Sequence, residues 1–249
     1  MSFENRNGCR LYLPVVIIIV VLASVIYSNT FDSPFQFDDT LQIVAKDRVN
    51  DLTDFTSFSY WTAVTKRPLS FFTFALNYHF GEYNVFGYHL VNLLIHILNG
   101  IVVFLLTRQI FQSPVLANER PGTKGNFFAL FAALLFIAHP LQTQAVTYIV
   151  QRMTSQAVLF YLLSVFLYGQ ARLSFIEQGN RKKAGIYFLF AGVTGVASLM
   201  SKEIAVTLPF TMLLYEICFI RDSKGKLFKK YIISAGVALL MAVIVVVSF

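Results

Sequence analysis

Two adjacent carboxylates, Asp38 and Asp39, stand in the run Phe37-Asp38-Asp39-Thr40, just beyond an apolar stretch that ends near residue 29. They are followed by an aromatic segment, Phe55 to Trp61, and then by Lys66-Arg67-Pro68. Acids, bases and aromatics gathered at the mouth of a hydrophobic run suit the handling of a lipid-linked substrate at a bilayer surface. Polar groups recur where other apolar runs end. His139, Gln142, Gln144, Gln151 and Arg152 cluster after Phe136, with Pro140 stopping the helix before them. The guanidinium of Arg152 could offer a fork of donors to a phosphate; otherwise it is a charge that snorkels to headgroups. Ser201-Lys202-Glu203 forms a third polar turn, in which the two charges either pair with each other or serve a substrate.

A different polar set lies inside an apolar run. His89, Asn92, His96 and Asn99 are spaced by three, four and three residues, which puts them on one face of a helix. Lipid would tolerate such a stripe only at high cost, so it should face a bundle interior or a water-filled cavity. Hydrogen bonding between helices explains the stripe plainly, and lining a substrate path is the functional alternative. His89, nearest the Asp38 end, is the best functional candidate of the four.

The elements that position these groups follow from composition. Of 249 residues, 56% are hydrophobic, 13% are charged and 26 are Phe, which is too apolar for a soluble domain. Apolar windows of about 17 to 22 residues match a helix crossing roughly 30 Å of hydrocarbon. The expectation is an all-α polytopic bundle, 1–249, with about seven spans near 11–29, 86–107, 127–138, 153–170, 184–200, 204–220 and 231–249. The long first loop, about 30–85, should contain an amphipathic helix after Pro68, with Ser70, Thr73 and Asn77 on one face. That helix either lies in the interface or packs under the bundle. The second loop on the same side runs from about 139 to 152.

The net charge of +7 is explained by its distribution. Arg6, Arg10, Arg108, Arg120, Lys124, Arg172, the run Arg181-Lys182-Lys183, and Arg221, Lys224, Lys226, Lys229 and Lys230 fall on the side of the N-terminus. Asp32, Asp38, Asp39, Asp47, Asp51, Asp54, Glu82 and Glu203 fall on the other. This positive-inside pattern puts the N-terminus in the cytoplasm and removes nucleic acid from the candidate partners. Arg6 and Arg10 ahead of Leu11–Tyr27 resemble a signal peptide, but the apolar run is long and no small-x-small cleavage site follows, so an uncleaved anchor is expected. Cys9 and Cys218 fall on the cytoplasmic side and form neither a disulfide framework nor a metal spacing. Glu216 should be an inward-facing carboxylate near that end, and no P-loop, dinucleotide fingerprint, nucleophile elbow or solenoid repeat is present.

Several motifs occur in a telling order. They are Phe37-Asp38-Asp39; Arg67-Pro68-Leu69 with Thr73 and Leu76-Asn77-Tyr78; Gly87-Tyr88-His89-Leu90-Val91-Asn92 through His96; His139-Pro140 through Gln151-Arg152; and Lys202-Glu203 with Leu208-Pro209. Over about residues 30–220 this set resembles the transmembrane and tetratricopeptide-repeat proteins of the GT-C glycosyltransferase superfamily, an O-mannosyltransferase-like family, and their bacterial relatives. The resemblance implies an integral membrane enzyme, here of a bacterial inner membrane. It would move a sugar from a polyprenyl-phosphate donor to a protein or lipid hydroxyl at the extracytoplasmic face. The catalytic base would be Asp38 or Asp39, acting with inversion at the anomeric carbon. Arg152, Arg67 or Lys202, or a divalent metal ion, would assist departure of the phosphate, and His89, His139, Gln142, Gln144 and Glu203 would complete the substrate site. Relatives commonly carry Glu where this chain has Gln144, which leaves the metal ligand set open. The family normally continues through further helices to a repeat domain, so the chain is expected to correspond to the N-terminal part. The rival readings are a transporter or flippase using the polar stripe as its path, or a non-catalytic remnant.

Overall fold

A computed structural model describes residues 4–45, 49–57, 59–61, 66–119, 123–176 and 179–220. The expected last span at 231–249, the charges Asp47 and Arg120, and the basic run from Arg221 to Lys230 lie outside the described residues.

Among the described residues every regular element is helical. They are α1 (Glu4–Ile26), α2 (Pro68–Gly81), α3 (Val85–Phe111), α4 (Thr123–Ala138), α5 (Thr143–Thr147), α6 (Arg152–Ile176), α7 (Arg181–Leu199) and α8 (Leu208–Tyr215), with short 3₁₀ and π turns between them. Three stretches are long and apolar enough to cross a membrane: Val85–Phe111, Ile149–Ile176 and Glu203–Ile220. A fourth becomes available if Lys124–Ala138 and Pro140–Thr147, bent by 54°, act as one broken span. The seven expected spans are therefore not reached among the described residues. The apolar part of α1, Tyr12–Ile26, is shorter than a full span, and α7 begins with Arg181, Lys182 and Lys183.

Local chemistry sets the helix ends. The Asn84 side chain accepts from Phe86 N at 3.1 Å and starts α3. Asn180 does the same for α7 through Lys183 N at 3.0 Å. Pro68 begins α2, where a missing N–H costs nothing, and Pro140 ends α4 because proline cannot donate to the preceding turn.

Helix α3 is the centre of the bundle. Ile19 and Ala23 of α1, Ile97 and Phe104 of α3, and Ala129, Ala133 and Ile137 of α4 form one core. The approach of α3 to α4 is close enough that a Cβ at Gly100 would come within 2.8 Å of Ile137 Cδ1. A second core gathers Ile43, Phe55, Phe71, Phe74, Tyr88, Ile149 and Met153 at the end bearing Asp38. Of the two readings of α2, the structure has the packed one. Pro68, Ser70, Phe71, Phe74 and Ala75 are buried, Leu69 N donates to Met200 O at 3.2 Å, and the Ser70 hydroxyl donates to Ser201 O at 3.1 Å. Leu69 and Ser70 thus fasten α2 to the turn after α7, while Phe71 and Phe74 enter the second core.

The polar stripe of α3 faces inward, as its spacing requires. His89, Asn92, His96 and Asn99 are all buried. Asn92 Nδ2 donates to Val146 O and Ile149 O at 3.3 Å each, and Asn99 Nδ2 donates to Ser155 O at 3.0 Å. His96 is hydrogen-bonded through Nε2 to Ile137 O at 3.3 Å. At the opposite end Glu216 is also inward, receiving Arg172 Nη2 at 2.6 Å and the Tyr168 hydroxyl at 2.9 Å.

Candidate active site

The acidic pair occupies a turn that the fold holds from both sides. Asp39 N donates to Gln36 O at 2.8 Å, Gln36 N donates back to Asp39 Oδ2 at 3.1 Å, and Val150 N donates to Asp39 Oδ1 at 2.6 Å. Asp39 is 1% exposed and so acts as a clasp between the first loop and the turn that opens α6. Burial raises its pKa above the ordinary value; the N–H groups of Gln36, Val150 and Ile149 and the charge of His89 oppose that rise. Phe37, one residue before Asp38, has φ 43°, a conformation that is costly for a bulky side chain. The turn so formed leaves Phe37 84% exposed and the neighbouring Asp38 exposed. Asp38 N donates to the Tyr148 hydroxyl at 3.0 Å, which places the phenol beside this turn.

His89 fastens the approach to this turn. Its Nε2 lies 2.9 Å from Ser33 O, and because a carbonyl can only accept, the ring is assigned the tautomer with hydrogen on Nε2. Its buried Nδ1 is without a hydrogen-bond partner.

Arg152 lies deeper than a surface cation. It is fully buried, with Nε donating to Asn92 Oδ1 at 2.7 Å, Nη1 to Thr73 O at 3.1 Å and Nη2 to Tyr88 O at 2.9 Å. Its guanidinium carbon also sits 4.5 Å from the Phe74 ring centre and 5.5 Å from that of Tyr88. In this arrangement the group binds α2, α3 and α6 together.

The more accessible cations are Arg67 and Lys202. Arg67 Nε lies 3.1 Å from both carboxylate oxygens of Glu203, Nη2 lies 3.0 Å from Oε2, and Nη1 reaches Met153 Sδ at 3.5 Å. Lys202 Nζ donates to the Thr154 hydroxyl at 2.6 Å, which donates in turn to Gln151 Oε1 at 2.6 Å. Glu203 therefore pairs with Arg67, not with its neighbour in sequence. Burial first, then the positive charge of Arg67, lowers the pKa of Lys202, while Glu203 opposes the drop. Both groups border the first turn of α6: Asp39 meets Val150, and Lys202 meets Thr154.

His139, exposed, and Gln142, half-buried, lie in the bend between α4 and α5, and Gln144, exposed, lies in α5. His139 Nδ1 accepts from Leu141 N at 3.2 Å and so caps its own turn. Tyr148 was missed as a candidate because nothing in sequence ties it to Asp38, 110 residues away. Its position between α5 and α6, in the loop already rich in polar groups, was the available signal. Among the described residues no three His, Cys, Asp or Glu side chains gather as a metal site, and both oxygens of Asp39 already receive backbone N–H groups. These residues do not fit a divalent ion.

No protein-family model and no solved structure matches the chain. Curated relatives do. The chain is 30% identical over 216 residues to protein O-mannosyl-transferase TMTC2 of Mus musculus, a match covering 82% of this chain and 24% of that protein. It is 31% identical over 221 residues to protein O-mannosyl-transferase Tmtc1 of Drosophila melanogaster, covering 82% and 22%. It is 30% identical over 199 residues to protein O-mannosyl-transferase TMTC4 of Mus musculus, covering 73% and 26%. The matched stretch thus spans about a quarter of the length of these relatives.

Proposed function

Starting from the chain's place among the relatives of the TMTC protein O-mannosyl-transferases, we propose that it is a membrane glycosyltransferase of the GT-C type. In this reading it moves a sugar from a polyprenyl-phosphate donor to a hydroxyl on a protein or lipid, at the extracytoplasmic face of a bacterial inner membrane. In this reading the chain contributes about seven spans to the membrane domain, the number its apolar windows support.

Asp38 is the base. Its carboxylate is exposed and can reach a substrate, whereas Asp39 is buried and both its oxygens accept backbone N–H groups. Asp38 takes the proton from the acceptor hydroxyl as that oxygen attacks the anomeric carbon. The bond from that carbon to the phosphate oxygen breaks, its electron pair leaves with the polyprenyl phosphate, and configuration inverts. General-base help of this kind is worth about 10² to 10⁴ in rate. The developing charge on the phosphate is met by Lys202 and Arg67, which are the accessible cations of the cluster, with Glu203 fixing the Arg67 fork. His89 and Asp39 hold the turn in place.

The single observation that carries the reading is the division of labour within the acidic pair: one carboxylate clasped between two loops, its neighbour presented beside a phenol. A transporter would rely on the α3 stripe, yet its Asn92 and Asn99 amides and its His89 and His96 rings are engaged by backbone carbonyls. The test is transfer of radiolabelled mannose, the sugar in the relatives' names, in membranes bearing the chain. Polyprenyl-phosphate-mannose and a nucleotide-linked mannose are offered separately. Transfer from the lipid donor alone, with the opposite anomer in the product, is the expected result; transfer from the nucleotide donor, or retention, refutes it.

A further inference from the structure

The carboxylate proposed as base sits on an exposed turn, where its side-chain torsion would be free unless something held it. Tyr148 is placed to hold it. Its ring packs with the cluster that includes Phe71, Phe74 and Tyr88, and it follows directly on α5. A tyrosine hydroxyl has one proton to give and lone pairs to receive with. Here the lone pair is used by Asp38 N–H at 3.0 Å, which leaves the phenolic proton for the Asp38 carboxylate.

Resting on the assignment of Asp38 as base, we propose that Tyr148 is its positioning residue: the phenol grips the backbone and one carboxylate oxygen of Asp38 together and turns the other oxygen toward the acceptor. The ring is stiff, with two side-chain torsions, so little freedom is lost when the pair forms. The phenol keeps its proton across neutral pH. Burial raises its pKa first and the negative charges of Asp38 and Asp39 add to that, against the opposing bond from Asp38 N–H. The clasp between the loops is made separately, by Asp39 and Val150.

Two measurements on the purified chain in lipid nanodiscs decide the matter. In the first, Tyr148→Phe keeps the ring and removes the hydroxyl. Its kcat should fall by about tenfold to a hundredfold with KM for donor and acceptor within about twofold of the parent, the signature of a misaimed base. In the second, NMR follows a ¹³Cζ-labelled tyrosine introduced site-specifically at position 148 alone, through a pH titration of parent and Asp38→Asn. Removing the carboxylate should move the Tyr148 titration to lower pH. An unchanged kcat in Tyr148→Phe overturns the inference, as does an unchanged Tyr148 titration in Asp38→Asn. Should Tyr148→Phe fail to fold, the titration alone decides, because Asp38→Asn retains the tyrosine. Activity surviving in Asp38→Asn would instead overturn the assignment of the base, so the two failures are separable.

Discussion

Asp38 and Asp39 are neighbours in sequence and opposites in environment. Sequence pattern located the pair but did not separate its two members, because adjacency says nothing about burial. The split comes from the Val150 N–H, which reaches Asp39 from 111 residues away. Asp39→Asn replaces one acceptor oxygen by an NH₂ that must face either Gln36 N or Val150 N, leaving a donor facing a donor; it should cost about 1–3 kcal/mol of stability. The pH dependence has a definite sign. Because burial raises the folded-state pKa of Asp39 above its ordinary 3.8, the folded chain holds this proton more tightly than the unfolded one. The associated stability is complete at pH below the ordinary value and is lost as pH rises through the raised one. The parent's thermal midpoint should therefore fall as pH rises through that window, a fall that Asp39→Asn, with no carboxyl to titrate there, does not share; a parent midpoint that rises relative to the variant's refutes the burial argument. Arg152 gives the second lesson at this scale. A guanidinium at the start of a span reads naturally as a phosphate fork, yet its three donors meet Asn92, Thr73 and Tyr88 inside the bundle. Arg152→Lys keeps the charge but satisfies fewer of these oxygens, and should lower stability by about 2 kcal/mol or more, measured by thermal unfolding in detergent.

At the scale of elements, α3 was the most legible. Its polar stripe obeyed helical spacing, and the buried amides confirm the inward face. The docking of α2 was not legible, because Phe71, Phe74 and Ala75 satisfy an interfacial face and a packed face equally well. What distinguishes them is a long-range fit, Ser70 against Ser201 O and Leu69 N against Met200 O. Close approach of α3 and α4 depends on Gly100. A Cβ there would lie 2.8 and 2.9 Å from Ile137 side-chain carbons, so Gly100→Ala should destabilise by about 1–3 kcal/mol, and Ile137→Val in the same chain should recover part of it. Full additivity of the two changes would show that they do not touch. The Arg67–Glu203 bridge, with side chains 35% and 46% exposed, is a different kind of contact. A double-mutant cycle with Arg67→Gln and Glu203→Gln should return less than about 1 kcal/mol of coupling in stability. Its loss should be felt in transfer rate instead.

At the scale of the whole molecule, composition identified a helical membrane protein, and the distribution of Lys and Arg predicted its orientation. The span count was not legible to the same degree, because the apolar part of α1, Tyr12–Ile26, is short and α7 opens on three basic residues. Cys218, exposed in the turn after α8, offers a direct check of orientation. Helix α8 starts beside Glu203 at the Asp38 end and carries Cys218 away from it. With Cys9→Ser introduced, an impermeant maleimide should label Cys218 in inside-out vesicles and leave it unlabelled in intact cells; labelling of intact cells reverses the topology. The central claim is that the exposed carboxylate of Asp38 performs base-catalysed sugar transfer from a lipid-phosphate donor. The most direct test compares initial rates of transfer from polyprenyl-phosphate-mannose for the parent and Asp38→Asn, both inserted at equal level and with equal thermal midpoints. The account predicts a loss of about 10²-fold or more in Asp38→Asn, and equal rates in the two proteins would contradict it.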